Sequence, residues 1–423
     1  MHDVHSHYSS NDIDAYSAPA YLDVKRRADR RSTPRRQILI TRLRLTTGVL
    51  LSCALLSSGP ALADINVGVV LSLTGPAASL GGPAKNAVDL LPRELDGEPI
   101  RYIVLDDASD TTQAARAFRR LVDEHKVDVI LGTSVTPSTL ALVPIAQEKE
   151  VPLLSLAASV KIVEPMDAQR RWVFKVIQNE NLMVAATLAH MKANGFKTLG
   201  YIGFADAYGD SWLAEARKQA APAGIEVVAS ERYVKTDTSV TAQTLKLMGA
   251  RPDAVLVAAS GTPGALPQKS LRERGYQGAI YQTYGIANRE FLRIAGKEAE
   301  GALFAVGPVV VASQLDPANP IRAVAMDLTQ RYETAYGKDS MSVFAANAWD
   351  AGLVLQPALK TALRSAKPGT AQFRMALRDA LESTRDVVTS QGIATMSPSD
   401  HVGYDARAAV MVQIKNGAWR YVQ

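Results

Sequence analysis

The chain has 423 residues, 47% of them hydrophobic and 21% charged, which suits two domains of ordinary size and excludes a disordered chain. The net charge of +5 gathers in residues 1–63, where nine Lys and Arg face five Asp, so the remainder is almost neutral and argues against a nucleic-acid partner. The single cysteine is Cys53, and three of the six histidines fall in the first seven residues, so no Cys/His set has metal-ligand spacing and no metal or cofactor is expected.

Residues 45–63 read LTTGVLLSCALLSSGPALA. Arg42 and Arg44 precede this apolar run, Gly59-Pro60 break it and Ala61-Leu62-Ala63 end it. That order describes a secretory signal peptide cleaved after Ala63; the run is too short and too polar for a good membrane span. Two variants stay open. LLSC (Leu50–Cys53) loosely resembles a lipoprotein box, which would leave Cys53 acylated, and PRRQIL (Pro34–Leu39) carries the twin arginines of a Tat signal. The A-x-A site and an ordinary basic n-region are preferred. Residues 1–33 are polar and patternless.

From Ile65 onward, β-branched runs alternate with helical patterns. Strands are expected at 65–71, 100–106, 127–131 and 152–156, with helices near 80–92, 111–125 and 137–148. In the second helix Ala115, Phe118, Leu121 and Val122 share a face, and Thr111 after Asp110 suits its start. This rhythm argues for a parallel sheet covered by helices. It restarts after an extended run at 172–178, with strands at 198–204, 225–233, 253–259, 279–285 and 301–311 and helices between them. Helical segments follow near 319–336, 343–366 and 370–384, and a β-like tail spans 408–422 with Asn416-Gly417 as a hairpin turn. A chain that builds one α/β lobe, crosses to a second and retains enough length to return makes a hinged cleft, with the ligand beyond the carboxyl ends of the strands.

The segments GVVLSLTGPAASLGGP, VDVILGTSVTPSTLALVPIAQEKEVPLLSLAAS, YIGFADAYGDSW, FAANAWDAGLVL and GYDARAAVMVQIKNGAW, in that order and spacing, resemble the periplasmic substrate-binding proteins of ABC importers. The resemblance is to the branched-chain amino acid (Leu/Ile/Val) type and covers essentially all of 64–423. It implies an α/β fold of two open parallel-sheet lobes joined by a three-strand hinge, the type I periplasmic binding fold. The lobes are expected at 64–178 with 308–384, and at 179–307 with 385–423, hinged near 175–179 and 304–309. The resemblance further implies a monomer in the periplasm that captures a small carboxylate and delivers it to an ABC permease in the inner membrane. An exported sensor of the same fold stays open as the alternative.

By the same resemblance the first lobe holds the ligand carboxylate. Ser134 and Thr136 lie in a hydroxyl-rich loop at a helix start, where Thr136 or Ser138 could instead simply cap the helix. Ala158 and Ser159 follow the next strand. Leu73 and Thr74 are expected at the cleft rim. The second lobe contributes Tyr208, the close-approach pair Gly261 and Thr262, and Tyr284. Amino acid binders of this type need an acid for the ligand ammonium. Tyr284 stands at the position where that acid commonly sits; Glu290 is further on, and Asp206 is another possible partner. Tyr208, Trp212 and Tyr284 would suit a flat or aromatic carboxylate, whereas Trp172 and Trp349 read as core. No phosphate loop or nucleophile elbow is present, and Leu105–Asp107 lacks partners for a metal, so no enzyme is expected.

Overall fold

The first sheet is built around short, buried and largely apolar strands. A computed structural model describes residues 64–422, which belong to one compact unit, Leu62–Gln423. The expected signal peptide, Cys53 and the polar head lie outside the described residues. Strand β1 (Ile65–Leu71) is buried at every position but Asn66, as a strand covered on both faces must be. It pairs in parallel with β3 (Glu98–Asp106) and β4 (Val129–Gly132), aligning Ile65 with Ile100 and Val67 with Val129. With β2 (Glu94–Leu95), β5 (Leu153–Ser155) and β6 (Val173–Lys175) the sheet order is β2-β3-β1-β4-β5-β6, and only β2 runs antiparallel.

Helices α1 (Ala78–Asp89), α2 (Thr111–Asp123) and α3 (Thr136–Lys149) connect these strands. Asp110 caps α2 by accepting from the Gln113 N–H at 2.8 Å, as its position before Thr111 suggests. The buried face of α2 is Ala114, Ala117, Phe118 and Leu121. Ala115 and Val122, expected on that face, are only half-buried at its edge.

The second sheet has the order β15-β14-β11-β10-β9-β7-β8. Its parallel part is β7 (Thr198–Phe204), β8 (Glu226–Tyr233), β9 (Ala254–Ala258), β10 (Ala279–Gln282) and β11 (Leu303–Val306). Helices α4 (Glu180–Ala193), α5 (Ala207–Ala220), α6 (Thr241–Gly249), α7 (Ala265–Glu273) and α8 (Arg289–Ala295) accompany these strands. The antiparallel edge is the hairpin β14 (Val410–Lys415) and β15 (Ala418–Val422). Asn416 and Gly417 turn it with φ of 55° and 67°, the two positive values that a two-residue hairpin of this type requires.

Between β11 and that hairpin the chain returns to the first lobe as α9 (Pro320–Tyr336), α10 (Val343–Leu363) and α11 (Ala371–Glu382). Most of α10 is buried, on all sides, which marks a core helix rather than an amphipathic one. Trp349 lies on it in the first-lobe core, and Trp172 is buried beneath Arg378.

Three differences from the sequence reading have plain causes. The run 301–311 is a strand only to Val306, because Pro308 has no N–H for a ladder and the chain coils through Pro308–Gln314. The run 279–285 ends as strand at Gln282, and Tyr284–Ile286 form a turn of 3₁₀ helix. The pairs β2 and β12–β13 (Val387–Val388, Ile393–Ala394) are too short to show a period. The last difference bears on the lobes: Ile393, Ala394 and Met396, expected in the second lobe, are buried in the core of the first. The final crossing comes later, where Val412 and Ile414 join the second-lobe core.

Candidate functional site

The carboxyl ends of both sheets converge on one cavity. It is lined by Ser134–Thr136 after β4, Leu156–Ala158 after β5, Phe204 and Tyr208 at β7, Lys235 after β8, Ser260 after β9, and Tyr284-Gly285 after β10. Leu80 of α1, Ile177 of the crossing, and Phe344 and Asn347 of α10 complete the wall. This is the place where open α/β sheets bind ligands. The cavity holds about 30 Å³, room for roughly a water or two, so admitting a metabolite requires the lobes to part. Larger hollows of about 560 Å³ between α10 and α11 and about 780 Å³ beside Trp419 lie away from these loops.

The first-lobe wall is a hydrogen-bond donor surface. Val135 is the N-cap of α3 and makes no side-chain cap. Neither Thr136 nor Ser138 caps the helix, so the simple capping reading fails. The Ser134 hydroxyl accepts from the Ser72 N–H at 3.0 Å, and the Thr136 hydroxyl accepts from the Ser159 N–H at 3.4 Å. Among the described hydrogen bonds both hydroxyls only accept, which leaves their protons to donate to a ligand. They stand at a helix N-terminus, where unsatisfied N–H groups and the helix dipole favour an anion.

The second-lobe wall is aromatic. The rings run in sequence from Tyr233 to Phe204 (5.3 Å between centroids), Phe204 to Tyr208 (6.2 Å), Tyr208 to Trp212 (6.1 Å) and Trp212 to Tyr284 (5.9 Å). Tyr208 donates to the Thr283 hydroxyl at 2.8 Å and Tyr284 to the carbonyl of Gln178 at 3.3 Å. Burial pushes both phenols well above their ordinary range, so they remain neutral. Lys235 brings the cavity's cation: its ammonium lies 5.0 Å from the Phe204 ring centroid and 2.6 Å from Oδ2 of Asp206. Asp206 is also the N-cap of α5, accepting from Tyr208 and Gly209 N–H groups. Behind Asn347, the carboxyl of Asp350 is fully enclosed and pushed up to about 7 by burial; it is not among the lining side chains.

Of the sequence-identified residues, Ser134, Thr136, Ala158, Tyr208 and Tyr284 line the cavity. Leu73 and Thr74 do not: the Thr74 hydroxyl donates to Asp106 at 2.6 Å and the Leu73 N–H donates to the same carboxylate at 2.8 Å. Asp106 is spent on shaping that loop. Ser159 is buried just behind the wall, donating to Ser211 at 2.9 Å. Gly261 and Thr262 touch the opposite lobe: the Thr262 N–H donates to the Ser79 hydroxyl at 3.4 Å. Glu290 belongs to α8 and pairs with Arg293 at 2.7 Å. Among the described lining residues no acid is present, and Asp206, beside the cavity, is already neutralised by Lys235.

Lys235, Phe204, Leu80, Phe344 and Asn347 were not singled out from the sequence. Lys235 had a usable signal, because it stands two residues past the end of an expected strand. Phe344 and Asn347 fall in the segment FAANAWDAGLVL that carries the resemblance, but only tertiary packing brings α10 to the cleft.

The lobes are tightly apposed here. Ala77, Leu80, Val135 and Ala158 of the first lobe are continuous with the apolar core of the second. A Cβ on Gly261, whose φ is 64°, would sit 2.6 Å from Leu80 Cδ1 and 2.6 Å from Ser79 Oγ. Gly261→Val is therefore expected to prop the lobes apart and weaken ligand affinity by at least about tenfold. Titration calorimetry with the best-binding acid checks this, and an unchanged affinity would show that the contact is not needed.

Residues 64–418 match the family model of the periplasmic binding protein. An extracellular ligand-binding receptor from Rhodopseudomonas palustris HaA2 is 44% identical, with a TM-score of 0.83 over 85% of this chain and 100% of that one. The Leu/Ile/Val-binding protein homolog 3 of Brucella melitensis is 26% identical over 62% of this chain and 72% of its own length. A solute-binding protein of an ABC transporter from R. palustris, solved in complex with benzoate, shares the fold at 22% identity and a TM-score of 0.70, over 85% of this chain and 96% of that one. Match, topology and interlobe cavity agree, and the chain belongs to the periplasmic binding protein family.

Proposed function

We propose that this protein is the extracytoplasmic solute-binding component of an ABC importer and captures a small organic carboxylate, aromatic in preference to an amino acid. Members of its family are substrate-binding proteins, not enzymes, and the family sets the chain outside the cytoplasm. The single observation that carries the ligand class is the composition of the cavity wall: helix N-terminus, free hydroxyls and Lys235 on one hand, the rings of Phe204, Tyr208, Tyr284 and Phe344 on the other, and no acid among the described lining residues. A buried ammonium without an acid is costly, whereas a carboxylate meets two hydroxyl donors and a helix N-terminus, with the ammonium of the Lys235–Asp206 pair beside it. A solute-binding protein solved in complex with benzoate has the same fold, so the fold is compatible with an aromatic acid.

In this account the carboxylate docks on Ser134, Thr136 and the start of α3, and the second lobe folds over the rest of the ligand. Closure selects a pre-existing arrangement rather than making a covalent step. The crossings after β6, after β11 and before β14 bend as the hinge. The first lobe then comprises 64–178 with 308 to about residue 405, and the second comprises the remainder. Export is through the signal peptide ending at Ala63, the protein acts as a monomer, and the closed form is presented to a permease. No helix among the described residues is long and apolar enough to cross a membrane.

A thermal-shift panel of hydrophobic amino acids and aromatic carboxylates tests this. At a hundredfold excess over the dissociation constant, binding stabilises by about 2.7 kcal/mol, which raises the melting temperature by about 3–6 °C. Aromatic acids are expected to give that rise. A strong rise with leucine, isoleucine or valine and none with the acids would overturn the ligand class.

A further inference from the structure

Two charged side chains are buried close behind the cavity, and neither lines it. Lys175, the last residue of β6, is 0% exposed, and its ammonium donates to the carbonyl of Ala158. Glu180, the first residue of α4, is also 0% exposed; its Oε2 accepts from the Val160 N–H at 2.6 Å, and its Oε1 accepts from the Ser211 hydroxyl. Ser211 in turn accepts from Ser159 at 2.9 Å. Three consecutive residues of the loop after β5 are thus each held by a different element. Ala158 is held from the hinge strand β6, Ser159 from α5, and Val160 from the N-terminus of α4. Ala158 itself lines the cavity.

Buried charges are retained only where hydrogen bonds and opposite charges compensate their desolvation. Glu180 has two hydrogen-bond donors and stands in the first turn of its helix, where the dipole favours an anion. Burial brings Lys175 down to about 8 despite the carboxylates of Glu180, Glu164 and Asp400 around it. Such a costly arrangement, tied to the ligand loop on one side and to second-lobe helices on the other, is placed to sense whether the lobes are together.

We propose that Glu180, Ser211 and Lys175 form a buried latch that shapes the ligand loop Ala158–Val160 and stabilises the closed lobes, acting as positioning residues that do not touch the ligand. The Ser159–Ser211 and Val160–Glu180 bonds join first lobe to second and are exchanged for water when the cleft opens. The latch works whatever the ligand is, so it stands or falls apart from the carboxylate reading.

Pulsed electron–electron spin resonance without added ligand tests it. Spin labels go on Arg116→Cys of α2 and Ala242→Cys of α6, both exposed, in the full chain with Cys53→Ser so that they are the only thiols. The parent protein is expected to show a short-distance, closed population. Ser211→Ala removes one hydroxyl and is expected to raise the open-to-closed ratio about fivefold, and Glu180→Ala about tenfold. Glu180→Gln keeps an acceptor for Val160, and its amide donates to Ser211 once the Ser211 hydroxyl turns to donate to Ser159; it is expected to recover much of the closed population. Equal ratios in the parent and Ser211→Ala, at matched melting temperatures, would overturn the proposal. So would a parent with no closed population, or a Glu180→Gln variant as open as Glu180→Ala.

Discussion

Lys235→Met is expected to weaken binding of a carboxylate ligand by about 30-fold or more, corresponding to about 2 kcal/mol for a lost hydrogen bond between charged groups. The substitution keeps a long apolar stem over Phe204 and removes the cation from the cavity wall. It also exposes the ligand's anion to Asp206, whose charge Lys235 neutralises at 2.6 Å. The fold should tolerate the change. Asp206 retains two backbone N–H donors at the start of α5, and an ion pair whose members are 22% and 21% exposed contributes at most about 1 kcal/mol. Calorimetric titration of the parent and the variant separates the two effects: affinity for the acid should collapse while affinity for its neutral amide stays level. Equal losses for acid and amide would assign Lys235 to packing alone.

Trp212→Ala is expected to cost about 3–5 kcal/mol of folding stability, the range for truncating a large buried aromatic. Trp212 is 1% exposed and fills the space between Tyr208 and Tyr284, both part of the cavity wall. Since whole domains are stable by only about 5–15 kcal/mol, the urea midpoint should fall steeply. Trp212→Phe should recover much of the loss. The truncated variant should also bind poorly at temperatures where it remains folded, because the Tyr208 and Tyr284 rings lose the surface that fixes them. A small stability change would mean that the aromatic wall can collapse into the gap and is less specifically packed than the geometry indicates.

How legible this protein is depends on the length of each element. The parallel strands β1 and β7 coincide residue for residue with apolar runs, Ile65–Leu71 and Thr198–Phe204, because a doubly covered strand has to be apolar throughout. The two-residue strands leave no periodic trace. The site was legible where it follows strand ends. Ser134, Thr136, Ala158, Tyr208 and Tyr284 come from loops whose position the α/β rhythm fixes, and their relevance came from family resemblance. Leu73 and Thr74 occupy an equivalent strand end and still fail, because Asp106 on the adjacent strand captures both of them. Gly261 and Thr262 adjoin Ser260 on the cavity wall, yet meet Ser79 and Leu80 of the opposing lobe. Neither outcome could be read without knowing which side chain faces which across the cleft. The same holds for Glu180: a glutamate opening a helix reads as an ordinary dipole partner until the fold buries it against Val160 and Ser211.

The most direct test of the carboxylate-without-ammonium site is calorimetric titration with three compounds that share one skeleton: 3-phenylpropanoate, its neutral amide and L-phenylalanine. The cavity wall predicts that the acid binds tightest. The amide should be weaker by about tenfold or more, for want of a charge opposite Lys235, and phenylalanine weaker again, for want of an acid to meet its ammonium. Tighter binding of L-phenylalanine than of 3-phenylpropanoate would contradict the account and require an acid at the site.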